Sequence, residues 1–264
     1  MDGMKIGLQY NTGITKKEIR EAGLDILGAE YDELFFAGGA NVVRISASKL
    51  EQAVLDGALE DLFISGTKVL VIETVGISSA DEAGKLSSLL LKCIPGFKAK
   101  DITVCIENGF IPDGERIYRG PLGDGTALAA FIDELNRKAG EEFFGAAFNT
   151  GCARVLRLQL TEHVKALGNR IRVLYLSDND GKNDLRQLPY TFTTVHGTNC
   201  AGWDELIGIF KDQPQDVFIM EDVRGTFAVC PQELKGTFLQ LAKAVLDDWK
   251  EQMDGQQISL PING

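Results

Sequence analysis

The amino-acid sequence predicts an α/β protein folded as one eight-stranded TIM-type (β/α)8 barrel, and three observations support this prediction. The length of 264 residues suits such a barrel, which commonly takes about 250 residues. Short apolar runs rich in β-branched residues alternate along the chain with segments of helical period. No low-complexity tract or linker divides the sequence, so residues 1–264 are predicted to form a single domain.

Eight segments are predicted to be strands. Runs such as KVLVIE, ITVCIE and DVFIME are apolar on successive residues, as expected for parallel strands that are covered on both faces. The second and third segments lie too close together for a full helix between them. The predicted strands are Lys5–Gln9, Tyr31–Phe36, Val42–Ser46, Lys68–Glu73, Ile102–Glu107, Phe144–Asn149, Ile171–Leu176 and Val217–Glu221.

The segments between the strands carry helix signals. Thr15 with Glu18, and Ser79 with Glu82, have the spacing of capping boxes, in which a hydroxyl and a carboxylate each bond a free backbone N–H. Apolar residues then recur at helical spacing, as in Leu128, Phe131, Ile132 and Leu135. A doubly wound open sheet is the competing fold, but the first strand and loop lack a GxGxxG fingerprint and no P-loop is present.

The composition of the chain indicates which classes of partner and which cellular compartment to expect. A net charge of −11 repels polyanions, so nucleic acid is not an expected partner. The first residues lack the pattern of a signal peptide, and no apolar stretch approaches the roughly 18 residues of a membrane span. The five cysteines have no CxxC spacing and suggest reduced thiols. We therefore expect a cytoplasmic protein without a membrane partner. The sequence does not decide between a monomer and a homo-oligomer.

Polar residues at the ends of the predicted strands are the candidate functional groups, because strand ends face the catalytic mouth of such barrels. Glu107 and Glu221 stand out, since each directly terminates an apolar strand. A carboxylate there is a metal ligand, an acid/base group or a structural hydrogen-bond acceptor. The full set of strand-end residues is Gln9, Glu73, Glu107, Asn149, Tyr175, Asp178 and Glu221.

A family resemblance then becomes specific. The runs AAFNTGCA, RIRVLYLSDNDGKNDLRQLP and GWDEL…VFIME resemble the xylose isomerase-like TIM-barrel family, which includes sugar isomerases and epimerases and endonuclease IV-like proteins. The similarity covers essentially the whole chain from MKIGL onward. The family usually reads F-D-T-G-H, then H-x-x-D-N-D-G, then D-x-H-x-L-P, then a strand that ends in Glu.

The resemblance implies a metal site that this chain keeps only in part. Glu107 matches the first metal-binding glutamate and Glu221 the last, and Asp184 matches the aspartate of the D-x-H element. At the remaining family positions this chain has other residues. Asn149 occupies the position of a ligand aspartate, and Cys152 that of a histidine found in some members. Tyr175 occupies the position of the strand-seven histidine, and Arg186 that of the D-x-H histidine.

These substitutions weaken the implied metal site. The family binds one divalent cation, which polarises a sugar oxygen while the glutamates move a proton on and off carbon. The remaining hard donors, Glu107, Glu221 and the amide oxygen of Asn149, would hold Mg²⁺ or Mn²⁺ poorly. Zn²⁺ would require the Cys152 thiolate as a further ligand.

Two functions from different classes stay open. In the first, the protein is an isomerase or epimerase of a small sugar, sugar acid or sugar phosphate, with Glu107 and Glu221 as the acid/base pair. Tyr175 or Arg186 would then replace the metal as electrophile, and Arg154 and Arg186 would suit an anionic group. In the second, the barrel has lost catalysis and binds a small molecule as a regulatory protein.

The loops around the predicted mouth carry further candidate residues. Asp178, at a strand end, and His196, in the loop VHGTN, are candidate substrate-binding residues near the mouth. Residues 108–125 are predicted to form a Gly- and Pro-rich loop that covers the substrate. Endonuclease activity is not expected, because a trinuclear zinc cluster needs several histidines and this chain has two.

Overall fold

The barrel predicted from the sequence is present. The structure, a computed structural model, describes residues 4–10, 14–24, 26–37, 39–57, 66–192, 194–195, 198–199, 202–212 and 217–254. Eight parallel strands pair in chain order, and the first closes on the last. They are β1 (Lys5–Gln9), β2 (Ile26–Glu30), β3 (Val42–Ser46), β4 (Val69–Glu73), β5 (Thr103–Glu107), β6 (Phe144–Asn149), β7 (Ile171–Leu176) and β8 (Phe218–Glu221).

Seven of the eight predicted strands are confirmed to within one residue, and the second is wrong. The predicted strand Tyr31–Phe36 is a 3-10 turn followed by a short helix, and the strand is Ile26–Glu30 instead. Its apolar signal is weak because the inward position at Gly28 has no room for a side chain. A Cβ there would lie 2.3 Å from the Gln9 Oε1 atom.

Helices cover the outside of the barrel. Those between β1 and β4 are short, which resolves the close spacing of the second and third predicted strands. The helices are α1 (Lys16–Glu21), α2 (Leu34–Ala37), α3 (Ala47–Leu55), α4 (Ala80–Ala99), α5 (Gly125–Ala139), α6 (Thr150–Val155), α7 (Leu160–Leu167), α8 (Trp203–Asp212), α9 (Arg224–Val229) and α10 (Lys235–Met253).

The two predicted capping boxes differ in outcome. At α1 both bonds form: the Thr15 hydroxyl accepts from the Glu18 N–H, and the Glu18 carboxylate accepts from the Thr15 N–H. At α4 the Ser79 hydroxyl caps the helix, but the Glu82 carboxylate accepts from Ser78 rather than Ser79. In the part of the chain that the structure describes, no helix is long and apolar enough to cross a bilayer.

The strands separate two apolar layers. Valine side chains at positions 42, 69, 71 and 173 fill the barrel interior together with Cys105, Ala147 and Met220. Residues of the opposite parity, such as Val43, Leu70 and Ile219, pack outward against the helices. This alternation decides which polar residues at the strand ends can face the mouth.

The segment after β5 contains more structure than the predicted loop. Ile111–Asp113 pairs with Arg116–Tyr118 as an antiparallel hairpin. Phe110 anchors its base by packing against Cys152 and Val155, and its carbonyl accepts from the Gly76 N–H at 2.8 Å. The segment therefore lies at the carboxyl end of the barrel, against the loop after β4 and helix α6.

Candidate functional site at the barrel mouth

Eight polar side chains converge at the carboxyl ends of the strands. Side chains alternate between the two faces of a strand, so each strand directs one residue inward above the apolar interior layer. Hydrogen bonds, ion pairs and one ring contact connect these residues. We call them the mouth ring, which consists of Gln9, Glu30, Arg44, Glu73, Glu107, Asn149, Tyr175 and Asp222, the last directly after β8.

Arg44 lies at the centre of the mouth ring, and its side chain is fully buried. Its Nε and Nη2 atoms donate to the two oxygens of Glu107, each at 2.6 Å. Nη1 donates to Asp222 at 2.9 Å and to Glu30 at 3.5 Å, and Nη2 also donates to Glu73 at 3.1 Å. A guanidinium has five N–H donors, so carboxylate oxygens satisfy all of them.

The charge of Arg44 is held in place by its surroundings. Burial acts to lower the pKa of Arg44, but the four carboxylates, Glu107 foremost, raise it well above its usual value. The guanidinium also lies 5.3 Å from the centre of the Tyr175 ring, within the range of a cation–π contact. Arg44 is therefore a permanent cation inside the barrel.

Glu107, the first predicted catalytic residue, lies in the mouth ring but out of reach of solvent. One of its oxygens also accepts from the Asn149 Nδ2 atom at 2.7 Å. Burial raises the pKa of Glu107 to about 8, with Arg44 acting against the shift. Both oxygens accept hydrogen bonds from the guanidinium, and this geometry favours the charged carboxylate against the effect of burial.

The structure does not bring Glu221, the second predicted catalytic residue, to the mouth ring. Met220 faces the barrel interior and Ile219 the helix layer, so alternation turns Glu221 outward and Asp222 inward. Glu221 is fully buried, and neither carboxylate oxygen has a hydrogen-bond partner within the described residues. Burial raises the pKa of Glu221 well above its usual value, which favours the neutral acid.

Arg186 covers the mouth ring from the solvent side, and 15% of its side chain is exposed. Its Nε atom donates to Asp184 at 2.9 Å and its Nη1 atom to Asp222 at 2.8 Å. Its Nη2 atom lies 3.6 Å from a Glu73 oxygen. The backbone of Arg186 has a φ of +50°, and the Asn179 side chain accepts its N–H at 2.9 Å. The loop is therefore built to present this guanidinium.

Glu30 is a mouth carboxyl that solvent can reach, with 21% of its side chain exposed. Arg224 lies beside it, with Nη1 3.0 Å from the Glu30 Oε1 atom and Nε donating to Asp222 at 2.9 Å. Burial raises the pKa of Glu30 to about 7, with Arg44 acting against the shift. Glu30 is thus placed to exchange a proton near neutral pH.

Two predicted residues of the interior, Asn149 and Tyr175, contact other members of the mouth ring. The Asn149 Oδ1 atom accepts from the Cys152 N–H and caps α6, while its amide holds Glu107. Burial raises the pKa of Tyr175 well above its usual value, and its hydroxyl has no hydrogen-bond partner among the described residues. Tyr175 is fully buried beneath Arg44, so the predicted electrophilic role does not fit its position.

Two predicted substrate-binding residues, Arg154 and Asp178, form an ion pair with each other. The Arg154 Nε atom lies 2.7 Å from the Asp178 Oδ1 atom, and Arg154 Nη2 donates to the Asn179 carbonyl at 3.1 Å. The other Asp178 oxygen accepts from the Phe192 N–H at 2.7 Å. These contacts hold the loop after β7. His196 lies outside the described residues.

The donors of the mouth ring do not fit the divalent cation that the family resemblance implies. Both oxygens of Glu107 are engaged by Arg44, whose guanidinium fills the space between the carboxylates. Burial raises the pKa of the Cys152 thiol well above its usual value, which disfavours a thiolate ligand for Zn²⁺. Among the described residues, no group of three or more His, Cys, Asp or Glu side chains could hold a metal ion.

Sequence reasoning missed four residues that define this site: Glu30, Arg44, Asp222 and Arg224. Glu30 was hidden by the wrong second strand, and Asp222 lies one residue beyond the apolar run of β8. Arg44 had a readable signal, since a lone arginine in the apolar strand VVRIS is costly to bury without partners. Arg224 is the first residue of α9, and only the fold shows that this helix begins at the barrel mouth.

Solved structures share this fold, whereas neither a scan of family models nor a search of curated proteins found a match. An L-ribulose 3-epimerase structure has a TM-score of 0.62 at 14% identity and covers 99% of this chain and 100% of its own. A D-psicose 3-epimerase from Clostridium cellulolyticum H10 has a TM-score of 0.64 at 14% identity, covering 95% and 99%. A 3-keto-D-glucoside 4-epimerase from E. coli has a TM-score of 0.61 at 14% identity, covering 91% and 99%. At such identities the likeness establishes the barrel fold.

Proposed function

We propose that the protein is a sugar isomerase or epimerase that moves a proton at the carbon beside a sugar carbonyl, with mouth carboxylates as the proton-transfer groups. The observation that carries this proposal is a pair of solvent-reachable carboxyls at the mouth, Glu30 beside Arg224 and Glu73 beside Arg186. Burial raises the pKa of Glu30 to about 7. A general base works best when its pKa lies near the working pH. The sugar epimerases of the same fold support the substrate class by analogy.

Glu30 and Glu73 provide two carboxylates at the mouth. They come from β2 and β4, on either side of β3, and bind different nitrogens of Arg44. Their side chains are 21% and 20% exposed. Epimerisation requires a base on one face of the carbon and an acid on the other, which two separate carboxylates can supply. Isomerisation requires only one carboxylate that carries the proton between neighbouring carbons.

Arg186 and Arg224 stabilise the negative charge that develops on the sugar oxygen in this proposal. Their side chains are 15% and 26% exposed, so their guanidinium groups can meet a ligand at the mouth. Asp222 accepts from both of them and fixes their positions before a substrate arrives. Fixed donors aimed at developing charge are a large source of rate enhancement.

The charge balance favours a neutral sugar over the anionic substrate suggested by the sequence. The mouth arginines are already paired with carboxylates, and the acids outnumber them. A neutral polyol can donate its hydroxyls to the carboxylates and accept from the guanidinium groups, whereas a phosphate adds repulsion. The acids are Glu30, Glu73, Glu107, Asp184 and Asp222, and the arginines are Arg44, Arg186 and Arg224.

Hydrogen exchange at carbon tests the proposal. The protein is incubated in deuterated water with neutral ketoses and their phosphates, and deuterium beside the carbonyl is measured by NMR. We expect incorporation into at least one neutral ketose and its loss in Glu30→Gln. Glu142→Gln, an exposed glutamate before β6 at the opposite end of the barrel, is the matched control. Thermal stabilisation by a sugar without exchange would favour the binding-protein alternative.

A further inference from the structure

We infer that Arg44 is a built-in cation that takes the place of a divalent metal and fixes the mouth carboxylates in position. The meaning of this inference for catalysis rests on the proposed function, but the charge balance itself does not. Arg44 contacts no ligand in this scheme, because its N–H donors are all engaged by carboxylates. It is a positioning residue.

The convergence of carboxylates at one point requires a cation. Four acids, Glu30, Glu73, Glu107 and Asp222, place oxygens between 2.6 and 3.5 Å from the guanidinium nitrogens. Glu107 and Asp222 have no exposed side-chain surface. Ionised carboxylates in such surroundings are stable only when they are paired.

The covalent attachment of the guanidinium to β3 makes this cation permanent. Arg44 belongs to β3, and its guanidinium is held between the Tyr175 ring on one side and the carboxylates on the others. A bound metal ion leaves when its concentration falls, whereas a side chain cannot. The mouth ring is therefore assembled whenever the barrel is folded.

Removing the side chain should reveal the cation site. In their present positions the described acids form no group that could hold a metal ion. Without the guanidinium, we expect the four carboxylates to move inward and to offer the hard oxygen donors that Mg²⁺ and Mn²⁺ prefer. Their mutual repulsion destabilises the variant until a divalent cation enters. Arg44→Ala is thus expected to convert a metal-independent barrel into a metal-dependent one.

A titration with Mn²⁺ in the absence of any sugar tests this inference. Free Mn²⁺ is measured by electron paramagnetic resonance, and Tm is recorded in EDTA and in Mn²⁺. We expect no shift of Tm for the wild type. We expect Arg44→Ala to have a lower Tm in EDTA, to regain part of it in Mn²⁺ and to bind one ion at least about tenfold more tightly than the wild type.

Two variants keep the test decisive. Arg154→Ala removes a largely buried arginine outside the mouth ring, whose carboxylate partner is Asp178, and it should gain no Mn²⁺ site. Arg44→Lys keeps the charge and is expected to fold without gaining a site, even where the alanine variant does not fold. Stoichiometric binding of Mn²⁺ by the wild type, or equal binding by Arg44→Ala and Arg154→Ala, would overturn the inference. Since no sugar is present, these outcomes are independent of the hydrogen-exchange result.

Discussion

Arg44 and Glu107 face each other inside the barrel in a two-bond fork, with Nε and Nη2 each 2.6 Å from one carboxylate oxygen. Neither side chain reaches solvent. A planar guanidinium and a carboxylate match in this geometry, which gives strong and directional hydrogen bonds. The pair therefore decides the orientation of the whole mouth ring, because the remaining donors of Arg44 then point to the other acids.

Glu107→Gln should destabilise the fold strongly. The substitution removes the one of four carboxylate partners that binds the buried Arg44 through two hydrogen bonds, and it replaces one accepting oxygen with an amide. We expect a cost of about 3–5 kcal/mol in the free energy of unfolding. Urea denaturation measures this cost. Glu134→Gln, which breaks an exposed pair with Arg137 on α5, is the matched control and should change little. Equal stability of both variants would contradict the central role given to the buried pair.

The pKa of Glu30 gives the pH dependence a definite sign. Burial raises this pKa from 4.5 to about 7 in the folded protein, against the attraction of Arg44. The folded state therefore binds the proton more tightly than the unfolded chain. The stability contributed by this group is complete below pH 4.5 and is lost as the pH rises to about 7.

Glu30→Gln should remove this component from the pH profile. The wild type is expected to lose more unfolding free energy than the variant between pH 4.5 and 7, measured by urea denaturation at a series of pH values. Hydrogen exchange on the sugar should change in the opposite direction, because the base must be ionised, and should rise through about pH 7. Parallel stability profiles for the two proteins would refute the assignment of this titration to Glu30.

Sequence periodicity predicted the barrel well because parallel strands covered on both faces must be apolar along their length. Seven of the eight strands carry that signal. The remaining strand, β2, lacks it for a local reason, because Gly28 must be small to admit the Gln9 side chain. The site was predicted less well. A one-residue shift reverses the face of a side chain, so the choice between Glu221 and Asp222 depended on the inward or outward parity of β8, which the uniformly apolar run VFIM does not reveal.

Asp222→Asn should disturb the mouth more than Asp184→Asn. Asp222 accepts from Arg44, Arg186 and Arg224, so its loss leaves three guanidinium groups with a weaker partner. We expect a cost of about 3–5 kcal/mol in unfolding free energy and a weaker affinity for any sugar that binds. Asp184 is paired with Arg186 in the part of the chain that the structure describes, and its side chain is partly exposed, so its substitution should cost about 1 kcal/mol or less.

Isothermal titration with a sugar that shows hydrogen exchange, together with urea denaturation, measures both effects. The Asp184 variant serves as the control for loss of a single acid near the mouth. If the two variants are equally stable and bind the sugar equally, Asp222 does not organise the arginines.

Glu221→Leu should stabilise the protein without affecting the proposed chemistry. Both Glu221 oxygens are buried without a hydrogen-bond partner among the described residues, and an unsatisfied buried polar group costs about 1–3 kcal/mol. A leucine of similar size fills the same space in the helix layer and removes that cost. We expect a higher Tm than in Glu221→Gln, which keeps a polar head group.

Deuterium incorporation into the sugar should stay at the wild-type rate in Glu221→Leu, since the side chain faces away from the mouth ring. Loss of exchange in a well-folded Glu221→Leu would restore Glu221 as a catalytic candidate and would place the reacting carbon outside the mouth ring.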